Sequence, residues 1–220
     1  MLKNCLDTGV QFMYFEKLIE HYIAYELLNL HGLKEKDIYI DVAAASSPWA
    51  KILREKLKIQ SYAIDLDIHE EFENINYYMK QDATHTSFPP SSVKGVSLQC
   101  AYEMFLKEDD ILLIGELARI LMKGGKAIIL PLYMHTHSCS YSSYDRFGQG
   151  HSDEDSKEYI YYKYSGTYSS RKYDVPKLKK RILKKITDCG LGYKIYILRN
   201  KNAINPQVYC HFILEIYKPD

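Results

Sequence analysis

Apolar positions recur through the chain with two alternating periods, and the alternation predicts the architecture. Over residues 10–30, Phe12, Phe15, Leu18, Ile19, Tyr22, Ile23, Leu27 and Leu28 fall at helical spacing, with His31-Gly32 as the stop. This helix is expected either to cover a sheet or to help form a lid. Residues 37–42 then form a short β-rich run ending in small residues, and Trp49–Leu57 reads as a helix, with Ser47 suited to its N-cap and Pro48 to its first turn. Further strands are expected at 60–66, 77–80, 95–100 and 126–130, with a helix over 111–122 closed by Lys123-Gly124-Gly125. Strands alternating with helices imply a mostly parallel sheet with right-handed crossovers, a doubly wound α/β Rossmann-like fold.

After Pro131 the period is lost. Residues 131–174 are rich in His, Ser, Tyr, Gly and Asp, and a polar insert of this length is more often functional than idle. Order returns in a Lys-rich amphipathic helix over 175–189. Two β-like runs, 193–198 and 209–217, are expected to form an antiparallel hairpin at the sheet edge. One domain over 1–220 accounts for this, divided into a helical cap (1–36), a nucleotide-binding half (37–131), an insert facing the second substrate (132–175), and a C-terminal helix and hairpin (176–220).

Composition narrows the possible partners. The 29 basic and 28 acidic residues nearly cancel, so no global field draws the chain to nucleic acid or an anionic membrane. The five scattered cysteines form no CxxC pair, which argues against a zinc cluster or disulfide framework and for a reducing cytoplasm. No window is apolar enough for a spanning helix, and membrane insertion is not expected. The partner is expected to be a small molecule, with the protein a monomer or homodimer. Tyrosine is unusually frequent, at 21 residues, and clusters between 133 and 173, where it could line a wet cavity or reflect compositional drift.

In doubly wound sheets ligands bind at the carboxyl ends of the strands. Three acidic positions stand at such ends, Asp41, Asp65 and Asp82. Each could instead cap a turn, a common use of Asp. The ordered set Asp41-Val42-Ala43-Ala44-Ala45, Ala63-Ile64-Asp65-Leu66-Asp67, Gln81-Asp82-Ala83, Phe88-Pro89 and Leu117 through Gly125 resembles the class I S-adenosylmethionine-dependent methyltransferases over residues 37–131. The resemblance implies S-adenosyl-L-methionine as cofactor. It places Asp41, Ala43, Ala45, Ser47 and Trp49 around the methionine, Asp65 at the ribose, Asp82 and Ala83 at the adenine, and Gln99 and Glu103 near the methyl group. Where the family usually has glycines, this chain has alanine and serine, and alanine admits a close ligand approach only at negative φ.

Methyl transfer to oxygen needs a base, and His135 is the preferred candidate, with His137 second and Glu103 third. Tyr133, Arg171 and Tyr173 are expected to bind the acceptor, with Lys172 beside Arg171 as a second cation. His135 and His137 share one face of an extended segment and would suit a metal ion, but no third ligand is evident and none is expected to bind. The combination of motifs further resembles methyltransferase-like proteins of bacterial surface-polysaccharide clusters. That implies O-methylation of a sugar, nucleotide-sugar or phosphorylated, including phosphoramidate-type, intermediate of capsule or other surface-glycan biosynthesis. The alternative is a catalytically inactive binding module in a glycan-assembly complex.

Overall fold

The computed structural model describes residues 11–44, 47–161, 165–206 and 208–220, without the side chains of 11–14. Helix α1 (Gln11–Leu27) precedes β1 (Ile38–Val42), α2 (Trp49–Leu57), β2 (Gln60–Asp65), β3 (Tyr78–Lys80), β4 (Val93–Gln99), α3 (Asp109–Ile120) and β5 (Leu121–Leu130). The insert contributes β6 (Cys139–Ser142), β7 (Lys157–Ile160) and β8 (Ser170–Lys172). A basic helical segment over 175–188, π-helical across Leu178–Leu183, leads to β9 (Gly192–Ile197) and β10 (Phe212–Tyr217).

The main sheet runs β3-β2-β1-β4-β5-β10-β9. Strands β1 to β5 are parallel, and β10 lies antiparallel between β5 and β9. The expected parallel sheet with an antiparallel hairpin at its edge is therefore present. Strand alternation divides the core in two. Ile40, Val42, Ala127 and Ile129 face α3 and the basic helix, meeting Ile114, Leu117, Ile182 and Ile186. Tyr39, Ile128 and Leu130 face the other way, under Ala24 and Leu28 of the α1 side and Leu53 of α2. Each such Leu or Ile contributes about 1.5–3 kcal/mol by leaving water.

Two expectations need correction. Lys123-Gly124-Gly125 does not close a helix: α3 ends at Ile120 and β5 begins at Leu121, taking the two glycines as a break in register, with Val93 opposite Leu121 but Gly95 opposite Lys126. A Cβ on Gly125 would lie 2.8 Å from the Met122 carbonyl oxygen and 2.9 Å from that of Val93, so only glycine fits. The insert, read as lacking periodicity, contains a three-stranded sheet in the order β7-β6-β8. At its end Asp174 caps the basic helix, accepting the Lys177 N–H at 2.7 Å.

Candidate functional site

The carboxyl end of β1 opens into a left-handed turn. Ala43 has φ of +53°, the conformation that glycine adopts freely, so the condition of negative φ for close ligand approach past this alanine is not met. An L-residue there costs about 1–2 kcal/mol. The turn lets the chain reach α2, where Ser47 Oγ accepts the Trp49 N–H at 3.3 Å. Ala45 lies outside the described residues.

Beneath the turn runs a buried polar chain. Trp49 Nε1 donates to Tyr39 Oη at 3.1 Å, Tyr39 Oη meets Ser97 Oγ at 2.6 Å, and Ser97 Oγ donates to Asp41 Oδ1 at 2.9 Å. Gln99 Nε2 adds bonds to Ser97 Oγ and Asp41 Oδ1 at 3.0 and 3.4 Å. Burial pushes the Asp41 carboxyl up to about 7, against these hydrogen bonds and the charge of Lys17.

Helix α1 covers this chain with an unexpected face. Glu16 and Glu20 are buried, whereas the apolar Phe15, Leu18 and Tyr22 are exposed. Lys17 Nζ donates to the Gln99 carbonyl at 3.0 Å and to Glu20 Oε2 at 2.8 Å. Burial works against the Lys17 charge, but Glu20, Cys100 and Asp41 together outweigh it and raise the Lys17 pKa. Glu20 Oε1 accepts the Cys100 thiol at 2.8 Å, and Glu16 accepts the backbone N–H groups of Tyr209 and Cys210 at 3.0 and 2.7 Å. His21 stacks on Trp49 with centroids 4.3 Å apart, and burial lowers its pKa to about 4.

Three side-chain atoms of this region are buried without a hydrogen-bond partner among the described residues: His21 Nδ1, Gln99 Oε1 and Glu103 Oε2. Unsatisfied buried polar atoms cost about 1–3 kcal/mol each, a cost that a polar ligand held here would relieve; Arg146, Arg171 and Glu215 also carry such atoms. Glu103 follows β4, and burial pushes its carboxyl up to about 7. Asp65 ends β2, accepting the Asp67 N–H at 3.3 Å. Asp82 Oδ1 takes both the N–H and the hydroxyl of Thr84 at 2.8 Å, so this acid does cap a turn. Ala83 beside it packs against the core.

On the insert side, Tyr133 stacks on Tyr209 with centroids 6.2 Å apart, and Lys172 Nζ lies 3.4 Å from the Tyr133 ring centre. His135 and His137 lie further along, with ring centroids 4.5 Å apart. Arg171 and Tyr173, expected to bind the acceptor, have buried side chains. Adjacent residues of β8 point to opposite sides, so Arg171 turns inward as Lys172 turns toward Tyr133. Arg171 Nη1 lies 2.8 Å from Asp110 and Nη2 lies 2.9 Å from Asp153, and Tyr173 Oη donates to Asp110 at 2.5 Å. Both side chains are built into the protein interior.

Glu16, Lys17, Glu20, His21 and Cys100 are the residues that sequence reasoning missed. A signal existed in the repeat of Glu16 and Glu20 one turn apart beside Lys17 and His21, but polar faces of helices usually meet water.

No protein-family model and no curated protein sequence matches the chain. No helix among the described residues is long and apolar enough to cross a membrane. The fold, however, has close counterparts. A structure of the Burkholderia thailandensis 1,6-didemethyltoxoflavin-N1-methyltransferase, with bound 1,6-didemethyltoxoflavin and S-adenosylhomocysteine, is 10% identical with a TM-score of 0.63, over 99% of this chain and 84% of that one. The geranyl diphosphate C-methyltransferase of Streptomyces coelicolor, in complex with Mg2+, geranyl diphosphate and S-adenosyl-L-homocysteine, is 11% identical with a TM-score of 0.55, over 97% and 87%. A SAM-dependent methyltransferase from Methanosarcina mazei is 13% identical with a TM-score of 0.54, over 89% and 99%. With its parallel strands, antiparallel edge hairpin and covering helices, the chain thus has the α/β Rossmann-like fold of the class I S-adenosylmethionine-dependent methyltransferases.

Proposed function

We propose that the protein is an S-adenosylmethionine-dependent O-methyltransferase of a small polar acceptor. The observation that carries this reading is the set of three buried, unpartnered polar atoms, His21 Nδ1, Gln99 Oε1 and Glu103 Oε2, in the region that α1 covers at the carboxyl end of the sheet. The residues present fit the cofactor. Asp41, Glu20 and Glu103 supply acidic surroundings for a sulfonium and an ammonium, and Gln99 Oε1 offers an acceptor for the ammonium. Ala43, Ser47 and Trp49 would flank the methionine, Asp65 would accept ribose hydroxyls, and Asp82 with Ala83 would edge the adenine. When bound, S-adenosylmethionine supplies an electrophilic methyl group on a positively charged sulfur.

Glu103 is the base this reading favours, over His135 and His137, because its second oxygen is buried without a partner and its raised pKa lies near neutrality. It accepts the proton of the acceptor hydroxyl as that oxygen attacks in line. Helix α1 excludes water and keeps Lys17 within reach of the Gln99 carbonyl. Tyr133 and Lys172 form the acceptor side, and the cation there suits a phosphorylated or otherwise anionic acceptor. The resemblance to methyltransferase-like proteins of surface-polysaccharide clusters supports a saccharide-linked one.

Isothermal titration of the purified chain tests the reading. Expected is binding of S-adenosylmethionine and S-adenosylhomocysteine, weakened about 10- to 100-fold by Asp65→Ala, the loss of a charge-assisted bond of roughly 1.5–3 kcal/mol. Absence of binding for both compounds would reject it.

A further inference from the structure

We propose that His135, His137 and Cys139 form a binding site for a zinc-class divalent metal ion, with a fourth position open to an exchangeable ligand. The sequence presents a His-x-His pair without a third donor; the fold supplies Cys139. The chain bends at Thr136 and His137 just before β6, and this bend, not strand alternation, brings the side chains at 135, 137 and 139 together. One donor atom from each residue lies within 4.8 Å of the other two. Zinc bonds of about 2.0–2.3 Å set tetrahedral donors roughly 3.3–3.8 Å apart, a closure that small rotations of the two imidazoles can supply.

The hydrogen bonds orient the rings for this role. His137 Nε2 meets Tyr159 Oη at 2.8 Å, and as an N–H donor there it leaves Nδ1 with a lone pair. The Nδ1 atoms of His135 and His137 both converge on Thr136 Oγ1 at 3.3 Å. The Thr136 hydroxyl has one proton for two imidazole nitrogens, and the other donor to His135 Nδ1 is the His137 N–H at a long 3.4 Å, whereas a cation would engage both lone pairs at full strength. Tyr159 then acts as the outer partner that fixes a ligating histidine.

The donor set chooses the ion. Two imidazoles and a thiolate suit zinc and its neighbours, not magnesium or calcium, which take oxygen ligands. On coordination the Cys139 thiol loses its proton to solvent as the sulfur–metal bond forms, and no electron is transferred. Three protein ligands leave one position for water or another small donor, the arrangement of catalytic rather than structural zinc sites. The inference stands on the insert alone and is independent of the methyltransferase reading.

Titration of the reduced, chelator-treated full chain with Co2+ tests it, read by absorption and without S-adenosylmethionine. Expected are one equivalent bound, a thiolate-to-cobalt charge-transfer band, and displacement by Zn2+. Cys139→Ser should abolish the band, and His135→Gln or His137→Gln should weaken binding at least 10-fold. Tyr159→Phe should weaken it about 10-fold. Because Cys139 is buried, its variant could fail to fold; the double variant H135Q/H137Q, altering less buried residues, keeps the test decisive. No stoichiometric binding, or an unchanged band in that double variant, would overturn the proposal.

Discussion

At the scale of single residues, Glu103 carries opposing demands. Buried after β4 with a carboxyl pushed up to about 7, it holds its proton through a range where an unfolded chain, with an ordinary glutamate pKa, has lost it. The native state then binds more protons than the unfolded one, so stability falls as pH rises from about 4.5 to about 7 and levels off above that. The span amounts to on the order of 3 kcal/mol. Glu103→Gln should flatten that part of the stability–pH curve, leaving the slope contributed by Asp41, whose carboxyl is raised likewise. In catalysis the sign reverses, because a base works deprotonated: kcat/KM should climb to a plateau above about pH 7. The glutamine variant should lose about 10²- to 10⁴-fold in kcat while still binding S-adenosylhomocysteine. A variant with wild-type turnover would move the base to His135 or His137. Ala43 shows how little a residue type alone reveals here: alanine stands where the family usually has glycine, yet the backbone takes the glycine conformation.

At the scale of elements, β1 to β5 and α2 and α3 were legible because their apolar residues obey a single period and end at turns. Helix α1 was legible as a helix but not in its orientation. Its early apolar positions Phe15, Leu18 and Tyr22 point outward, and Glu16 and Glu20 point inward, because this half of the helix covers the polar end of the sheet, whereas Ile19, Ile23 and Ala24 pack on the hydrophobic face. A hydrophobic pattern reports which face would prefer oil, not what the partner surface contains. The short strands of the insert escaped for a different reason: three or four residues of mixed Ser, Tyr and Lys give too few alternations to register. The inverted helix makes its own prediction. Glu16 fastens α1 to the segment before β10 through two backbone amides, so Glu16→Ala leaves both unpaired at about 1–3 kcal/mol each. Hydrogen exchange at Tyr209 and Cys210 should accelerate accordingly, with Glu16→Gln intermediate. Unchanged exchange would mean that α1 is held by its apolar contacts instead.

At the scale of the whole molecule, what joins the insert to the sheet is charge. Asp110, in the first turn of α3, is fully buried; it accepts from Tyr173 and from two nitrogens of Arg181 at 2.5–2.8 Å and is ion-paired with Arg171 Nη1 at 2.8 Å. Arg171 and Lys177 then reach Asp153 in the insert, at 2.9 and 2.8 Å. Burial opposes the Asp153 charge, but these two cations hold its pKa below the usual carboxylate range. One carboxylate thus ties a helix of the main sheet to β8 and to the basic helix, and the tyrosine and arginines it binds all lie far from it in sequence. Only the cationic half of this joint was visible in the sequence, where Arg171 suggested a ligand contact. Asp110→Asn keeps the volume and removes the charge, leaving two guanidinium groups against a neutral amide. The expected cost is about 3–5 kcal/mol, or a fall in Tm of roughly 6 to 20 °C. Asp153→Asn should cost less, because Asp153 is partly exposed and water can replace part of what it supplies. Proteolysis should distinguish loss of the joint from general softening. If Asp110 couples insert to sheet, cleavage within residues 144–156 should accelerate well before the Tm is approached, while the main sheet stays intact. Equal acceleration across the chain would mean that Asp110 stabilises the fold as a whole and that apolar contacts hold the insert in place.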